Sequence, residues 1–479
     1  MKPKTQDSRW VYGLTGLWTN KFIDLSAYRP ISLLFASFIL CLGFPLCATC
    51  YTLSIGHLPP LQNGHTLLFI TDLSGSASDV RISLYDDAGR EVSILHKSLL
   101  RNGKIKIDVE NHLQSAGTIV VESSNQQIVG EYWQIDESGA MFMLPLQSPG
   151  EEERYFVNCF RFPSCGSNLL VLSDPYGSGP LVQMEFYSMA GELIGIARKL
   201  LRPHGTLAFE VNEYAPWDIL GKVSVRSFRG SIVLHYRQIC ENSESSYSAS
   251  REVVLAVPAR LPARDFFDRN FVIDDFSTGR EITGNLVITD VSAEGPEAKI
   301  KFLSDTGAVL FGMKKLLPRN GTVLIDPADY IGRVVNGVIQ ISSESQIIAD
   351  YWEKNPQTVL HTSAVDETGG FLFISHFSPF DNTQDLLSLL NVGQKSVQVR
   401  VEFYSDNGEK LGTKELSLEP CKQVDELVGH YFDGVPLGTI IVKEKQGRSA
   451  SLVATSHIFD LKNSRHLGKA HAQVIRSRE

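Results

Sequence analysis

Hydrophobic and polar positions alternate in four segments that align without gaps on a glycine: VRISLYDDAGREV (80–92), VQMEFYSMAGELI (182–194), AKIKFLSDTGAVL (298–310) and VRVEFYSDNGEKL (399–411). Val80, Ile82 and Leu84 match Val182, Met184 and Phe186, then Ala298, Ile300 and Phe302, then Val399, Val401 and Phe403. A period of two with one polar face predicts a half-buried strand. Gly89, Gly191, Gly307 and Gly408 then supply the positive φ of a tight hairpin turn, after Asp87, Asp305 and Asp406 in three copies.

Each copy continues alike. It opens on an apolar strand (LLFITD 67–72, LLVLSD 169–174, LVITD 286–290, LLSLLN 386–391). After the hairpin come a turn (LLRNG 99–103, LLRPHG 200–205, LLPRNG 316–321, LSLEPCK 416–422) and a glycine-led strand (117–123, 221–227, 337–343, 438–444). A last strand closes the copy: IVGEYW (128–133), IVLHYR (232–237), IIADYW (347–352) and LVATSHI (452–458). A further apolar strand (142–146, 253–258, 371–375) is read as preceding the opening of units 2, 3 and 4.

About seven short strands per copy, with turns every eight to twelve residues, predict an antiparallel β-sandwich. A β-propeller repeats at about 40–50 residues per blade. The turn glycines are spaced 102, 116 and 101 residues apart, which favours sandwiches. The expected fold is all-β: four tandem units, at 51–140, 141–250, 251–365 and 366–479, each with its own two-layer core. Units 1 and 3 both end in Tyr-Trp and are followed by matching linkers (136–143, 366–373), so the body reads as a two-unit module duplicated once. The stretch 258–284 is the expected hinge between modules.

This pattern resembles the immunoglobulin-like sandwich repeats of bacterial extracytoplasmic proteins. The resemblance covers residues 51–460 and lacks the paired Cys and central Trp of antibody-type domains. It implies a fold class and no residue-specific function.

Charge distribution adds a destination. Residues 1–29 hold five Lys/Arg against two Asp, whereas the chain from residue 51 onward holds 40 Lys/Arg against 52 Asp/Glu. Ile31–Cys47 is strongly apolar, and no charged residue lies between Arg29 and Asp72. A basic lead, an apolar core and small residues after it predict a signal peptide cleaved near 48–50, or a signal anchor if it is retained. The chain is then secreted, periplasmic or surface-anchored, touching the membrane only through residues 31–50. Cys50 matches a lipid-attachment motif poorly, with Cys47 and Thr49 where Leu and a small residue belong. Cys159 and Cys165 flank a short loop and are a candidate disulfide; the alternative is two free thiols.

The formal net charge of −9 excludes phosphate-driven nucleic-acid binding. No local motif for a nucleophile elbow, P-loop, dinucleotide site or zinc protease occurs, so no catalytic residue, cofactor or metal is expected. The acidic hairpins read as turn formers rather than calcium loops. Trp133 beside Glu131, and Trp352 beside Asp350, are the candidate contacts. Each Trp sits on the strand face opposite Tyr132 or Tyr351, where it can pack against a neighbouring unit or stack on a sugar ring. One sequon stands at Asn320-Gly321-Thr322, and the basic tail 462–479 reads as a solvated end, with a short last strand at AQVI (472–475) as the alternative. The sequence thus points to a non-catalytic exported scaffold contacting other envelope or surface proteins, or to a glycan- or ligand-binding module as the alternative.

Overall fold

The computed structural model describes residues 51–474 apart from 61–63, 136–140, 150–153, 160–164, 215–220, 242–251, 259–268, 280–281, 355–358, 365–369, 379–382, 446–450, 462–464 and 472. The apolar segment 31–50 lies outside the described residues, as do 136–140 and 366–369 of the linkers and 259–268 and 280–281 of the expected hinge. Among those described, no helix is long and apolar enough to cross a membrane.

The described chain is all-β, with short 3-10 turns as its helical content. In the first repeat the strands are β1 (Tyr51–His57), β2 (His65–Asp72), β3 (Ser78–Asp86), β4 (Glu91–Leu99), β5 (Lys104–Asp108), β6 (Gly117–Ser123), β7 (Ile128–Ile135) and β8 (Met141–Pro145). They form two antiparallel sheets, ordered β1-β6-β3-β4 and β5-β2-β7-β8. The other three repeats follow the same plan; their strands are given below by residue range. In the fourth, Gln473–Val474 adds a fifth strand beside Phe371–Phe377.

Eight such sheets close into an eight-bladed β-propeller, which overturns the tandem immunoglobulin-like sandwich expectation. Each repeat supplies two blades. Their facing sides bury one apolar core per repeat: Leu53, Leu68, Ile82, Ile119 and Tyr132 in the first, for example. The opposite sides are buried too. The β1-type blade of each repeat packs on the β5-type blade of the next, and the fourth repeat packs back on the first through Phe377 and Leu437 against Phe69 and Trp133. β8 touches Glu252–Pro258 and Arg465–His471 without sharing a sheet with either, so these inner-edge strands line the hub. β4 and its counterparts form the rim.

Two physical reasons explain why the expectation failed. The two blades of a repeat interleave their strands, so the sequence repeats every two blades and the blade length never shows as a period. Second, a sandwich strand keeps one wet face, whereas β2 is buried along its length apart from His65 and β6 on both faces. Continuous apolar runs such as LLFIT and TIVV are the mark of strands covered on both sides.

Two details differ further. The strands at Met141–Pro145 and Glu252–Pro258 complete the preceding repeats rather than opening the next ones. Part of the tail is strand: Arg465–His471 is the inner strand of a blade, which the solvated-end reading missed, while the short strand Gln473–Val474 falls within the alternative at 472–475.

The hairpin glycines acquire a second role. Gly89, Gly191, Gly307 and Gly408 have φ of 81°, 85°, 82° and 80°. A Cβ at Gly89 would overlap the carbonyl of Pro203, and one at Gly191, Gly307 or Gly408 the carbonyl of Arg319, Cys421 or Arg101. Each hairpin therefore seats on the β4–β5-type turn of the next repeat, and the last seats on the first.

Candidate functional site

The four intra-repeat cores are mostly apolar; exceptions are His57 on the Tyr132 hydroxyl in the first and the His376–Asp385 pair, stacked on Phe432, in the fourth. Other buried ionisable groups gather at the joints between repeats and at the hub. Between repeats 1 and 2, Thr118 and Thr206 share a hydroxyl bond of 2.8 Å, and Thr206 bonds Ser173 at 2.6 Å. At the hub side of the same joint lie His57, His235 and Arg237, all buried; the His57 Nδ1 is 2.9 Å from the Tyr132 hydroxyl. Burial, with the Arg237 guanidinium nearby, pushes both histidines down to about 3, so they are neutral.

Between repeats 2 and 3, Lys222 donates to the carbonyl of Asp290 at 2.5 Å and to Asn320 Oδ1 at 3.0 Å. Its ammonium lies 5.5 Å from the Phe156 ring and 5.0 Å from Tyr187. The Asn158 amide donates to Asp350 Oδ2 at 2.6 Å, and His361 Nε2 lies 3.1 Å from Asp350 Oδ1. Between repeats 4 and 1, Lys104 donates to the Ser375 hydroxyl and sits between the rings of Phe69 and Phe373. Burial lowers each of these lysines to about 8; carboxylates oppose the shift, Glu131 and Asp385 at Lys104 and Asp290 at Lys222.

Between repeats 3 and 4, an apolar patch (Val272, Leu303, Val338 against Leu390 and Val453) gives way toward the hub to charge. Asp274 accepts from Thr455, and Lys469 reaches Asp275 Oδ2 at 2.5 Å. Burial works to raise Asp275, but the Lys469 ammonium holds it well below the usual carboxylate range. Glu353 beside them is raised by burial, against the pull of Lys469.

Trp133 and Trp352 lie in this ring of joints. They are 1% and 0% exposed, and Glu131 and Asp350 are 2% and 1% exposed. Trp133 meets Phe69 and Phe377 edge-on, at ring distances of 6.0 and 5.6 Å, and Trp352 meets His361 at 4.7 Å. A sugar ring needs an open indole face, and neither Trp has one. The four residues are not one site: Trp133 and Glu131 serve the joint of repeats 4 and 1, Trp352 and Asp350 that of repeats 2 and 3. The side chains of Cys159 and Cys165 lie outside the described residues; their backbones end one blade strand and begin a strand of the other blade. Among the described residues no group of three His, Cys, Asp or Glu is arranged to hold a metal ion. The sequon is structural in use: Asn320 accepts from Lys222, and the buried Thr322 hydroxyl bonds Thr289 at 2.8 Å.

Sequence reasoning missed two sets. Asp72, Asp174, Asp290 and Asn391 are wholly buried and organise the loop after the β2-type strand. Asp290, for instance, accepts from the amides of Ser292, Gly295 and Asn320. Their fourfold recurrence was visible, their burial was not. The other set is Lys104 and Lys222, each the residue after a glycine; Lys106 and Asp108 share a strand with Lys104 and Arg226 shares one with Lys222, so no signal along the chain set the buried lysines apart.

Outside the joints, the rim strands expose aliphatic side chains: Val92, Leu193, Ile196, Leu200, Val309 and Leu316, the two leucines at 200 and 316 each 73% exposed. A polar cleft of about 200 Å³ lies at one end of repeat 3, among Asn270, Glu297, Lys299 and Ser342–Glu344.

No protein-family model and no curated protein matches the chain. Among solved structures, the infectious bursal disease virus VP2 subviral particle aligns at 9% identity over 89% of this chain and 80% of that one, with a TM-score of 0.11. Escherichia coli alpha-2-macroglobulin aligns at 9% identity over 85% of this chain and 28% of that one, with a TM-score of 0.11. Neither likeness extends to the fold.

Proposed function

We propose that the chain is a non-catalytic, exported scaffold of the cell envelope or surface that binds other proteins along its rim. The observation that carries this reading is the row of aliphatic side chains on the outermost strands, Leu193, Ile196 and Leu200 in repeat 2 and Val309 and Leu316 in repeat 3. Edge strands of soluble proteins are normally blunted by charge or cover, and exposed apolar groups on them suit contact with a partner.

The buried chemistry supports the non-catalytic half of the reading. The Lys104–Ser375 and His376–Asp385 pairs have the residue types of nucleophile activation. Yet Ser375 and Asp385 are 0% and 1% exposed, and they lie inside the blade packing where no substrate reaches. Export rests on the basic lead and apolar segment of the first 50 residues.

Photocrosslinking in the native host tests the reading. A photoreactive side chain at Leu200 or Leu316 is expected to give discrete adducts of one mass, with none from the exposed control Glu344. Rim positions that give no adduct, or the same pattern as the control, would remove it. N-terminal sequencing of the exported form checks the cleavage site.

A further inference from the structure

We infer that the C-terminal strand Arg465–His471 is an internal ligand, a strap whose Lys469 fills an acidic cradle at the hub and locks the fourth repeat against its neighbours. The strand pairs with Leu452–Asp460 on one side only, since it is the inner edge of its blade. Beyond that pairing it is held by side chains. The Lys469 side chain is 3% exposed and lies 2.5 Å from Asp275 of repeat 3 and 3.4 Å from the Thr362 hydroxyl. Asp274 and Glu353, also of repeat 3, bring two further carboxylates to the ammonium. Asp274 Oδ1 and Glu353 Oε2 are buried with no hydrogen bond of their own. One cation from the strap thus answers three carboxylates, and without it the cradle is an uncompensated buried acidic cluster.

Two residues earlier, Leu467 is 3% exposed and packs in the cluster that holds Trp133 of repeat 1 and Phe377 of repeat 4. Just after the strand, Gln473–Val474 pairs with Phe371–Phe377 in the adjoining blade. Within ten residues the strap touches repeats 1, 3 and 4. No sheet among the described blades spans two repeats, and the backbone bonds between repeats are single turn contacts such as Lys104 to Asp406, Thr322 to Met189 and Gln423 to Asp305, so side-chain anchors of this kind add to what holds the ring shut. The strap is the part best placed to be displaced: it is an edge strand, and its one charged anchor is a single lysine. An extended basic segment from a partner, with a lysine at the same register, has the chemistry to replace it.

Hydrogen exchange on the full chain tests the strap with K469M and D275N. K469M is expected to speed exchange about tenfold or more across 465–474 and to loosen Arg269–Thr278, while β1 and β6 keep wild-type protection. D275N leaves Asp274 and Glu353 facing the ammonium, so its effect is confined to the same segments and is smaller. Unchanged protection of 465–474 in K469M overturns the inference, as does a loss spread evenly around the ring. Should K469M not fold, D275N decides alone: exchange raised only in 465–474 and 269–278 supports the strap, and any other pattern overturns it.

Discussion

The amide of Lys104 donates to the carbonyl oxygen of Asp406 across 2.7 Å, joining the first repeat to the hairpin of the last. Beside it Gly408, at φ 80°, lies against the carbonyl of Arg101. Replacing Gly408 with Ala adds left-handed strain and pushes these two turns apart. G408A is expected to lower stability by roughly 2–4 kcal/mol, through strain plus the lost closure contact. Gly434 is the control, since it has φ 71° but a Cβ there would meet nothing within 4 Å. G434A should cost about 1 kcal/mol from strain alone. Urea midpoints measured side by side check the difference; equal losses would show that the rim contact contributes nothing.

Lys104 and Lys222 make stability depend on alkaline pH. Burial lowers each to about 8 in the fold, from an ordinary value of 10.5. Below pH 8 both are protonated folded or unfolded, and the cost of burying the ammonium is fully present. Between pH 8 and 10.5 the unfolded chain binds more protons, so this contribution to stability rises with pH. Denaturation series at pH 7, 8, 9 and 10 should show that rise, reduced in K222M.

At pH 7 the same two lysines should respond differently to Met. Lys222 leaves behind a carbonyl, an amide oxygen and the Asp290 carboxylate, which the amides of Ser292, Gly295 and Asn320 still hold, so lost bonds and relieved burial nearly offset, within about 1 kcal/mol. Lys104 leaves Glu131 and Asp385 without their common cation, and K104M is expected to cost roughly 2–4 kcal/mol. Equal effects of the two changes in chemical denaturation would refute the assignment of Lys104 to the carboxylates.

The fourth repeat carries Asn where the others carry Asp, and its surroundings explain why. Asn391 Nδ2 donates to the carbonyls of Lys395, Leu418 and Glu419, at 2.8, 3.2 and 3.2 Å. An Asp there would set a carboxylate against three carbonyl oxygens. N391D is expected to cost about 3 kcal/mol at pH 7. Such a raised acid stabilises the fold only when protonated, so part of the loss should return as pH falls toward 5. Midpoints at the two pH values check this.

Trp133 and Trp352 are expected to act on stability alone. W133A and W352A each empty a fully covered indole site and should cost roughly 3–5 kcal/mol. Scanning calorimetry measures the loss; a change within about 1 kcal/mol would contradict their place in the joints.

Much of this molecule can be read along the chain. Val80, Ile82 and Leu84 announce a strand by alternation, Gly89 announces its hairpin, and both recur at 182–191, 298–307 and 399–408 because each repeat meets the same local problem. The opposed facing of Tyr132 and Trp133 also follows from strand geometry, since adjacent side chains point to opposite sides of a sheet. These are short-range consequences of backbone sterics and polarity.

Which residues meet across the joints is another matter. Arg101 and Gly408, Asn158 and Asp350, and Asp275 and Lys469 are far apart in sequence and come together only when the ring closes. The sequence by itself determined strands, turns, an apolar core for every repeat and the absence of any local catalytic motif. Only the tertiary structure decided that the outer faces of those repeats are buried as well, and that lysines and carboxylates fill the seams. Alternation reports whether a side chain leaves water, not which distant surface removes it, and that second surface makes a propeller rather than a string of sandwiches.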